Sequence, residues 1–245
     1  MKQIISKLLT KLRPNSSRTY LDEFAQNAAL SLPNGAKVLD AGAGKGLYKH
    51  HFLHQEYESA DFCQIDKAYG EITYVCDLEN IPVESDKYDL ILLTQVLEHL
   101  PNPAKVLQEL NRVLRSGGEL WLSTPLYYEE HEIPYDFFRY TQYGLQNLLD
   151  STNFSLKKID WLEGYFGTVS YQLALATRAL PINPKHYGNG IIGIWGSATA
   201  VVMKLNFAIF SIILARFDLR NKFTASGHCK NYTLVAVKNS DKAGL

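Results

Sequence analysis

The sequence has few cysteines and no excess of charge of either sign. Of its 245 residues three are cysteine, Cys63, Cys76 and Cys229, and none has the CxxC or Cys/His spacing of a zinc site. An odd number provides no disulfide framework, so we expect free thiols in a reducing cytoplasm. Twenty-five Lys and Arg residues balance twenty-five Asp and Glu residues, which leaves no global field to attract nucleic acid. A dedicated nucleic-acid-binding protein is therefore not expected.

Metal-binding motifs built on histidine are also missing. His50, His51 and His54 can share one face of a predicted helix. A solvated helix face is the favoured interpretation, because nothing else in the pattern requires a metal. We therefore expect no metal cofactor.

From residue 17 onward, short apolar segments alternate with helical ones. Strands are predicted at 36–39, 60–65, 72–75, 88–93, 119–123, 156–161 and 232–237, and helices at 17–31, 48–54, 96–100, 104–114 and 142–150. Short buried strands separated by helices favour a parallel sheet that is covered on both faces. The pattern therefore predicts an α/β fold, with a doubly wound, mostly parallel seven-stranded sheet.

Two segments depart from this alternation. Residues 1–16 predict an amphipathic helix with a basic polar face, which suits packing on its own domain, a partner groove or an anionic membrane surface. Residues 164–227 are unusually apolar, and 191–215 contain a single charge, Lys204. A lone membrane span would put the last strand on the far side from its sheet. We therefore predict a helical hairpin inserted into a core of 17–163 and 228–240.

Three surroundings suit this apolar insertion. Its exposed face can pack within the chain or form a homodimer, it can contact a membrane surface, or it can cross the bilayer. The sequence leaves these alternatives open.

The segment 38–46, VLDAGAGKG, is a buried strand that enters a glycine-rich turn. Glycines there permit positive backbone torsions and let a ligand approach the main chain closely. A nucleoside-triphosphate loop is excluded, because no Gly-x-x-x-x-Gly-Lys-Ser/Thr occurs. Asp40 opposes a dinucleotide, since its carboxylate repels a pyrophosphate at low effective dielectric. S-adenosylmethionine has no phosphate and carries an ammonium and a sulfonium, so Asp40 favours this ligand.

The turn resembles the first motif, Asp-x-Gly-x-Gly-x-Gly, of the class I S-adenosylmethionine-dependent methyltransferases of the type 11-like subgroup. Asp40, Gly42, Gly44 and Gly46 match that motif. Segments similar to the family's later motifs follow in the family's order at 64–66, 74–78, 88–100 and 110–120, with Ser116 in place of the usual proline. The resemblance covers about residues 36–125 and implies the Rossmann-like methyltransferase fold, with S-adenosylmethionine as cofactor.

The resemblance also implies which residues hold the cofactor. Asp66, at the expected end of the second strand, would accept hydrogen bonds from both ribose hydroxyls. Asp77 would meet the adenine amino group, with an ordinary Asx turn as the alternative. The full expected cofactor-binding set is Asp40, Gly42, Gly44, Gly46, Asp66, Lys67, Asp77, Leu78, Thr94 and Gln95.

The loop 125–141 is the expected acceptor side of the site, because ligands of open α/β sheets bind outside the carboxyl ends of the strands. It contains His131, Asp136 and Arg139. A similar His…Asp-Phe-x-Arg-x-Thr pattern occurs in methyltransferase-like proteins associated with sugar and cell-surface polymer biosynthesis. We expect His131 to accept a proton from a hydroxyl acceptor and Arg139 or Asp136 to position the substrate. A structural Asp136–Arg139 ion pair is the alternative.

Together these features predict a cytoplasmic S-adenosylmethionine-dependent methyltransferase. The expected reaction is O-methylation of a sugar, a lipid-linked saccharide or another amphiphilic small acceptor, with peripheral contact to the inner membrane face through 1–13 and 191–215. A small-molecule N- or O-methyltransferase of secondary metabolism and a non-catalytic S-adenosylmethionine-binding partner module are the alternatives.

Overall fold

The structure is a computed structural model that describes residues 14–240. The predicted membrane contact through 1–13, and with it most of the predicted helix 1–16, lies outside the described residues. The described part divides into two compact units. One contains the sheet and comprises 20–162 together with residues from 231 onward, and the other comprises residues up to 19 together with 163–230.

The sheet unit contains seven strands. They are β1 (Lys37–Ala41), β2 (Glu56–Asp61), β3 (Tyr74–Val75), β4 (Tyr88–Thr94), β5 (Leu114–Pro125), β6 (Phe154–Trp161) and β7 (Asn231–Lys238). Their order is β3-β2-β1-β4-β5-β7-β6, and β7 is antiparallel to both of its neighbours, whereas the other pairs are parallel. The predicted doubly wound, mostly parallel seven-stranded sheet is confirmed.

Helices connect these strands. The α-helices are α1 (Ser16–Leu30), α2 (Pro103–Val113), α3 (Gln142–Ser151), α4 (Tyr165–Ala179) and α5 (Gly190–Arg220). One-turn 3₁₀ helices occupy Lys49–His51, Leu97–His99 and Pro184–His186. The first two lie where longer helices were predicted, at 48–54 and 96–100, so those two predictions were too long.

Strands β1 and β4 form the centre of the sheet because their apolar residues are buried on both faces. Val38, Leu39, Leu90 and Leu92 are fully inaccessible to solvent. Leu21, Ala25 and Ala28 of α1 belong to the same buried cluster. Each large aliphatic side chain buried in this way contributes about 1.5–3 kcal/mol. The carboxyl ends of these strands lie at one edge of the sheet, where residues of the loops after β1, β2, β4 and β5 come together.

Strand β2 differs most from its prediction, since it covers Glu56–Asp61 and not 60–65. Its first residues are polar, and they find specific partners. The Tyr57 hydroxyl donates to Asp40 Oδ2 (2.5 Å), and Glu58 pairs with Lys87 (2.6 Å). These tertiary partners satisfy polar groups that, from the sequence alone, argue against a strand.

The second unit contains α4 and α5, which follow each other as a helical hairpin. The two helices pack against each other, and the Ser170 hydroxyl donates to the Ser211 carbonyl (2.6 Å). The buried residues of α5 are mostly small: Gly193, Ala200, Ala208, Ser211, Ala215 and Asp218. The exposed ones include most of its large apolar side chains: Ile191, Ile192, Ile194, Trp195, Val201, Val202, Met203, Leu205, Ile209, Phe210, Ile213 and Phe217. This distribution is the reverse of that in a helix of a soluble domain.

Within the described range, α5 is the one helix long and apolar enough, by length and composition, to cross a membrane. A single crossing is incompatible with the sheet, since β7 follows α5 and pairs with β5 and β6, which precede it. Two crossings would require α4 as well. Its 15 residues extend about 22 Å, which is less than the roughly 30 Å of a hydrocarbon core.

Candidate active site

The glycine-rich turn after β1 has the backbone that its sequence predicts. Gly42, Gly44 and Gly46 have positive φ angles of 76°, 53° and 64°. A Cβ atom at Gly42 would lie 2.4 Å from a side-chain methyl group of Val96, so only glycine fits there. The turn is tied to β2, because the Gly42 N–H donates to the Ala60 carbonyl (2.8 Å).

Asp61 closes β2 and anchors this turn. Its Oδ2 accepts from the Gly44 N–H (2.9 Å) and its Oδ1 accepts from the Cys63 N–H (3.1 Å). The prediction that Asp66 closes the second strand is wrong, because β2 ends five residues earlier and Asp66 is an exposed loop residue. One sequence signal pointed to Asp61: it lies about 20 residues after Gly42, the usual spacing of a ribose-binding acid in nucleotide-binding βαβ units.

A cavity of about 450 Å³ opens beside Asp61, within the range of small-molecule and cofactor sites. Of the expected cofactor-binding residues, Gly42, Lys67, Asp77, Leu78 and Gln95 line it. The wall residues that the sequence did not predict include Asp61, Phe62, Val75, Glu79, Val96, His99, Tyr135 and Phe137. The expected residues that are not part of the wall are Asp40, Gly44, Gly46, Asp66 and Thr94.

Asp40 is buried behind the turn rather than on the cavity wall. Its side chain accepts the Tyr57 hydrogen bond through Oδ2, whereas Oδ1 has no hydrogen-bond partner. Burial raises the pKa of Asp40 to about 6, with the nearby Asp61 adding to the rise and the Tyr57 hydrogen bond opposing it. The carboxylate that the sequence predicted as a cofactor contact is therefore buried in β1 and does not line the cavity.

Asp77 and Lys67 line the cavity from the loops after the neighbouring strands β3 and β2. Asp77 Oδ1 accepts from the Glu79 N–H (2.9 Å), so the Asx turn weighed as an alternative is present while Asp77 also lines the cavity. Lys67 pairs with Glu132 through two contacts of 3.0 and 3.1 Å. This ion pair joins the loop after β2 to the loop after β5.

The loop after β5 is braced by Asp136 and Arg139. The guanidinium donates to both Asp136 carboxylate oxygens (2.6 and 2.8 Å) and to the Tyr128 and Glu129 carbonyls. The Asp136 side chain is 3% exposed. Burial alone would raise its pKa, but the hydrogen bonds from Arg139 and from the His131 N–H lower it to about 2. The geometry supports the structural ion pair that was weighed as the alternative.

His131 lies beside this ion pair rather than on the cavity wall. Its Nδ1 is 3.3 Å from Asp136 Oδ2, and its ring meets that of His99 edge to face, with centroids 4.7 Å apart. The structure therefore brings none of the three predicted catalytic residues, His131, Asp136 and Arg139, to the wall, and it places His99 there instead.

Glu98 was missed by the sequence interpretation. It follows β4 in the 3₁₀ helix Leu97–His99 and is fully buried. Its Oε2 accepts from the Thr124 hydroxyl (3.2 Å), and its Oε1 has no hydrogen-bond partner. Burial raises the pKa of Glu98 to about 8. Glutamate residues are mostly exposed in folded proteins, so nothing in the sequence predicted that Glu98 is buried.

A family model described as a methyltransferase domain matches residues 11–158, more than half of the chain. The chain belongs to this methyltransferase family. The family predicted from the glycine-rich motif is thus confirmed, and the order of the strands around the cavity is that expected of its fold.

Curated methyltransferases match shorter stretches. The chain is 31% identical over 102 residues to a malonyl-(acyl-carrier protein) O-methyltransferase of Hahella chejuensis, covering 36% of each protein. It is 29% identical over 102 residues to a ubiquinone biosynthesis O-methyltransferase of Coxiella burnetii (37% of this chain, 44% of the relative). It is 30% identical over 109 residues to a sarcosine/dimethylglycine N-methyltransferase of Aphanothece halophytica (38% and 39%). The matches thus span well under half of these relatives.

Solved structures extend the likeness of fold. The cyclase SpnF superimposes with a TM-score of 0.55 at 17% identity, over 89% of this chain and 81% of that one. Phosphoethanolamine N-methyltransferase 2 of Haemonchus contortus, in complex with S-adenosyl-L-methionine, has a TM-score of 0.50 at 13% identity (87% and 53%). One neighbour is named a cyclase and the other a methyltransferase, so the fold alone does not specify the reaction.

Proposed function

We propose that this chain binds S-adenosylmethionine in the cavity beside the glycine-rich turn and transfers its methyl group to a small acceptor. The observation that carries this proposal is Asp61, a buried carboxylate on the cavity wall that is held in place by two backbone N–H groups. A carboxylate fixed in this way suits the two ribose hydroxyls. Asp77 then faces the adenine amino group, and Gly42 lets the cofactor approach the main chain.

The chain's own contribution to such a transfer is alignment and exclusion of water. Methyl transfer from a sulfonium is an in-line displacement in which positive charge is lost, so a fixed geometry supplies most of the acceleration. Phe62, Tyr135 and Phe137 provide apolar wall around the cavity. The Lys67–Glu132 ion pair holds two of the loops together over it.

Calorimetry on the purified chain tests this proposal. We expect one equivalent of S-adenosylhomocysteine to bind and NAD⁺ not to bind. Product analysis by mass spectrometry, with phenols, free sugars and polyprenyl-linked saccharides as acceptors, then tests turnover. Binding without turnover on any acceptor would favour the non-catalytic partner module, and binding of NAD⁺ alone would refute the proposal.

For the acceptor we propose a hydroxyl on an amphiphilic molecule, a sugar or a lipid-linked saccharide. Two O-methyltransferases among the relatives and the aromatic wall of the cavity support this choice. The similarity to a sarcosine/dimethylglycine N-methyltransferase favours a second candidate, a small-molecule methyltransferase acting on nitrogen. Comparing hydroxyl and amine acceptors of matched size separates the two.

We also propose that the hairpin of α4 and α5 inserts into one leaflet of the inner membrane from the cytoplasmic side. Small residues between the helices and large apolar ones outside are typical of helices in lipid. Polar side chains of α5 are satisfied internally: Lys204 donates to the Leu180 carbonyl (2.7 Å), Asn206 to the Val202 carbonyl (2.9 Å) and Thr199 to the Trp195 carbonyl (3.0 Å). Lipid imposes the same requirement on polar groups.

Co-sedimentation with vesicles of phosphatidylcholine and phosphatidylglycerol tests this membrane contact. We expect the full-length chain to bind and to stay bound at high salt, because the contact is apolar. Trp195→Glu combined with Ile213→Glu should weaken binding, whereas Tyr143→Glu, a control at an exposed aromatic of the sheet unit, should not. Equal binding by all variants would refute the proposal. A lipid-independent dimer that the double variant dissociates would assign the face to a second copy instead.

A further inference from the structure

Glu98, His99 and His131 converge beside the cavity from two separate loops. Glu98 and His99 follow β4, whereas His131 follows β5, and one potential ligand atom of each lies within 4.8 Å of the others. Around a tetrahedral ion with bonds of about 2.1 Å, ligand atoms lie roughly 3.4 Å apart. The three groups must therefore approach one another by at most about 1.4 Å to surround one ion.

The carboxylate of Glu98 has an oxygen that needs a partner. The side chain is fully buried, and Thr124 satisfies Oε2, but Oε1 receives no hydrogen bond. His99 Nε2 lies 3.8 Å from this Glu98 Oε1 atom. Buried acceptors without partners are rare in folded proteins, and a coordinated cation is one of the few arrangements that satisfies them.

Both imidazoles are held in the form that binds metals. His99 Nδ1 is hydrogen-bonded to the Tyr135 carbonyl, and His131 Nδ1 is 3.2 Å from the Glu129 carbonyl. A carbonyl oxygen only accepts, so each Nδ1 carries a proton, and Nε2 is the nitrogen of the neutral ring that can bind an ion. Metal-binding histidines are usually oriented in this way by a backbone carbonyl or a carboxylate on the other nitrogen.

The surrounding charges tolerate a cation. Arg139 lies near Glu98, but its charge is neutralised by the bidentate pair with Asp136. Glu132 on the cavity wall is likewise paired with Lys67. Among residues 14–240, a second cluster of metal-ligand side chains, Asp22, His50 and His51, is largely exposed and has no such buried oxygen.

We propose that Glu98, His99 and His131 bind one divalent transition-metal ion, such as Zn²⁺ or Mn²⁺. Two histidines and one carboxylate form a ligand set that these ions accept, and three protein ligands leave at least one position for another oxygen. The sequence contains no zinc-motif spacing at this site, because His131 is far from His99 along the chain and approaches it only in the folded structure. The inference therefore departs from the expectation of no metal cofactor.

The open position gives the ion a role in methyl transfer, and this role, unlike ion binding itself, rests on the proposed function. A bound acceptor hydroxyl has a lowered pKa and loses its proton to solvent. Its oxygen then forms the bond to the methyl carbon, while the carbon–sulfur bond breaks and leaves its electron pair on sulfur. His131 is a ligand in this arrangement and not the proton acceptor.

The experiment titrates the EDTA-treated, dialysed full-length chain with Zn²⁺ and, separately, with Mn²⁺ in a calorimeter, without cofactor or acceptor. We expect one ion per chain. His131→Ala should weaken binding by at least the roughly 10- to 100-fold that disturbing the support of a ligand costs. Glu98→Gln, which keeps an acceptor for Thr124, should weaken it similarly. His51→Ala is the matched control at the exposed cluster and should bind as the wild type does.

Circular dichroism and S-adenosylhomocysteine binding, measured on every variant, show whether the fold and the cofactor site persist. Failure of cofactor binding with intact metal binding would count against the proposed function alone. No ion bound by the wild type, wild-type affinity in both His131→Ala and Glu98→Gln, or loss of binding in His51→Ala only, would each overturn the metal site.

Discussion

Replacing Asp61 by Asn should weaken cofactor binding far more than replacing Asp66 by Asn. Asp61 is the acid that lines the cavity in the structure, and Asp66 is the acid that the sequence predicted for the same role. Asp61 is buried on the cavity wall and Asp66 is exposed outside it. The change at each position is the same, a carboxylate exchanged for an amide of equal size.

The magnitude follows from the hydrogen bonds that Asp61 makes. An amide keeps one acceptor oxygen, so the variant gives up one charged hydrogen bond to a ribose hydroxyl or to the Gly44 N–H. Hydrogen bonds to charged groups contribute about 1.5–3 kcal/mol. A loss near 2 kcal/mol raises the dissociation constant of S-adenosylhomocysteine about 30-fold. For Asp66→Asn we expect a change below about threefold, because the group is solvated.

Calorimetric titration of the wild type and both variants with S-adenosylhomocysteine provides the measurement. Urea unfolding of each protein serves as control, since Asp61 also supports the turn through its backbone hydrogen bonds. If Asp66→Asn loses more affinity than Asp61→Asn while both remain folded, the assignment from the end of β2 is refuted.

Three further predictions concern the support of the site. Burial raises the pKa of Asp40 from 3.8 to about 6, so the native state holds more protons than the unfolded state between these values. The stability of the wild type should therefore fall relative to that of Asp40→Asn by about 2–2.5 kcal/mol as pH rises from 4 to 7. A stability difference between the two proteins that stays constant across this range in urea unfolding would contradict the prediction. Arg139→Ala leaves the Asp136 carboxylate buried without its cation and should lower the free energy of unfolding by about 2–3 kcal/mol. This is less than for a fully buried pair, because Arg139 is partly exposed. Urea unfolding measures the loss, Asp136→Asn in the same chain should restore part of it, and a loss under about 0.5 kcal/mol would contradict a supporting role for this ion pair. Gly42→Ala should weaken S-adenosylhomocysteine binding at least about tenfold, because the added methyl group meets Val96 and a positive φ costs about 1–3 kcal/mol. Adding Val96→Ala to this variant should recover part of the affinity. An unchanged dissociation constant in Gly42→Ala would contradict the close packing.

The central strands were predictable because their burial leaves a direct signal in the sequence. Val38–Leu39 and Leu90–Leu93 are continuous apolar runs, as strands covered on both faces require. Strand β2 has no such run, because it contains polar residues such as Tyr57 and Glu58. Partners elsewhere in the chain satisfy these two side chains. The end of β2 was therefore misplaced, and Asp66, which was expected to close the strand, lies in the loop after it.

The acceptor side shows the same limit. The sequence predicted that His131, Asp136 and Arg139 lie in one loop and act on the acceptor, but none of the three lines the cavity. Arg139 turns back to the carbonyls of its own loop, an arrangement that depends on the path of the backbone. Glu98 was missed because its burial results from β5 and the following loop, which lie far along the chain.

The antiparallel strand β7 has a consequence for the chain between residues 163 and 230. The Leu162 N–H donates to the Asn231 carbonyl (2.9 Å), so the points where this segment leaves and rejoins the sheet are adjacent. Closing a loop of any length across such a short gap costs little additional entropy, because that cost grows only with the logarithm of the length. The segment between residues 163 and 230 can thus change in length without drawing β6 and β7 apart.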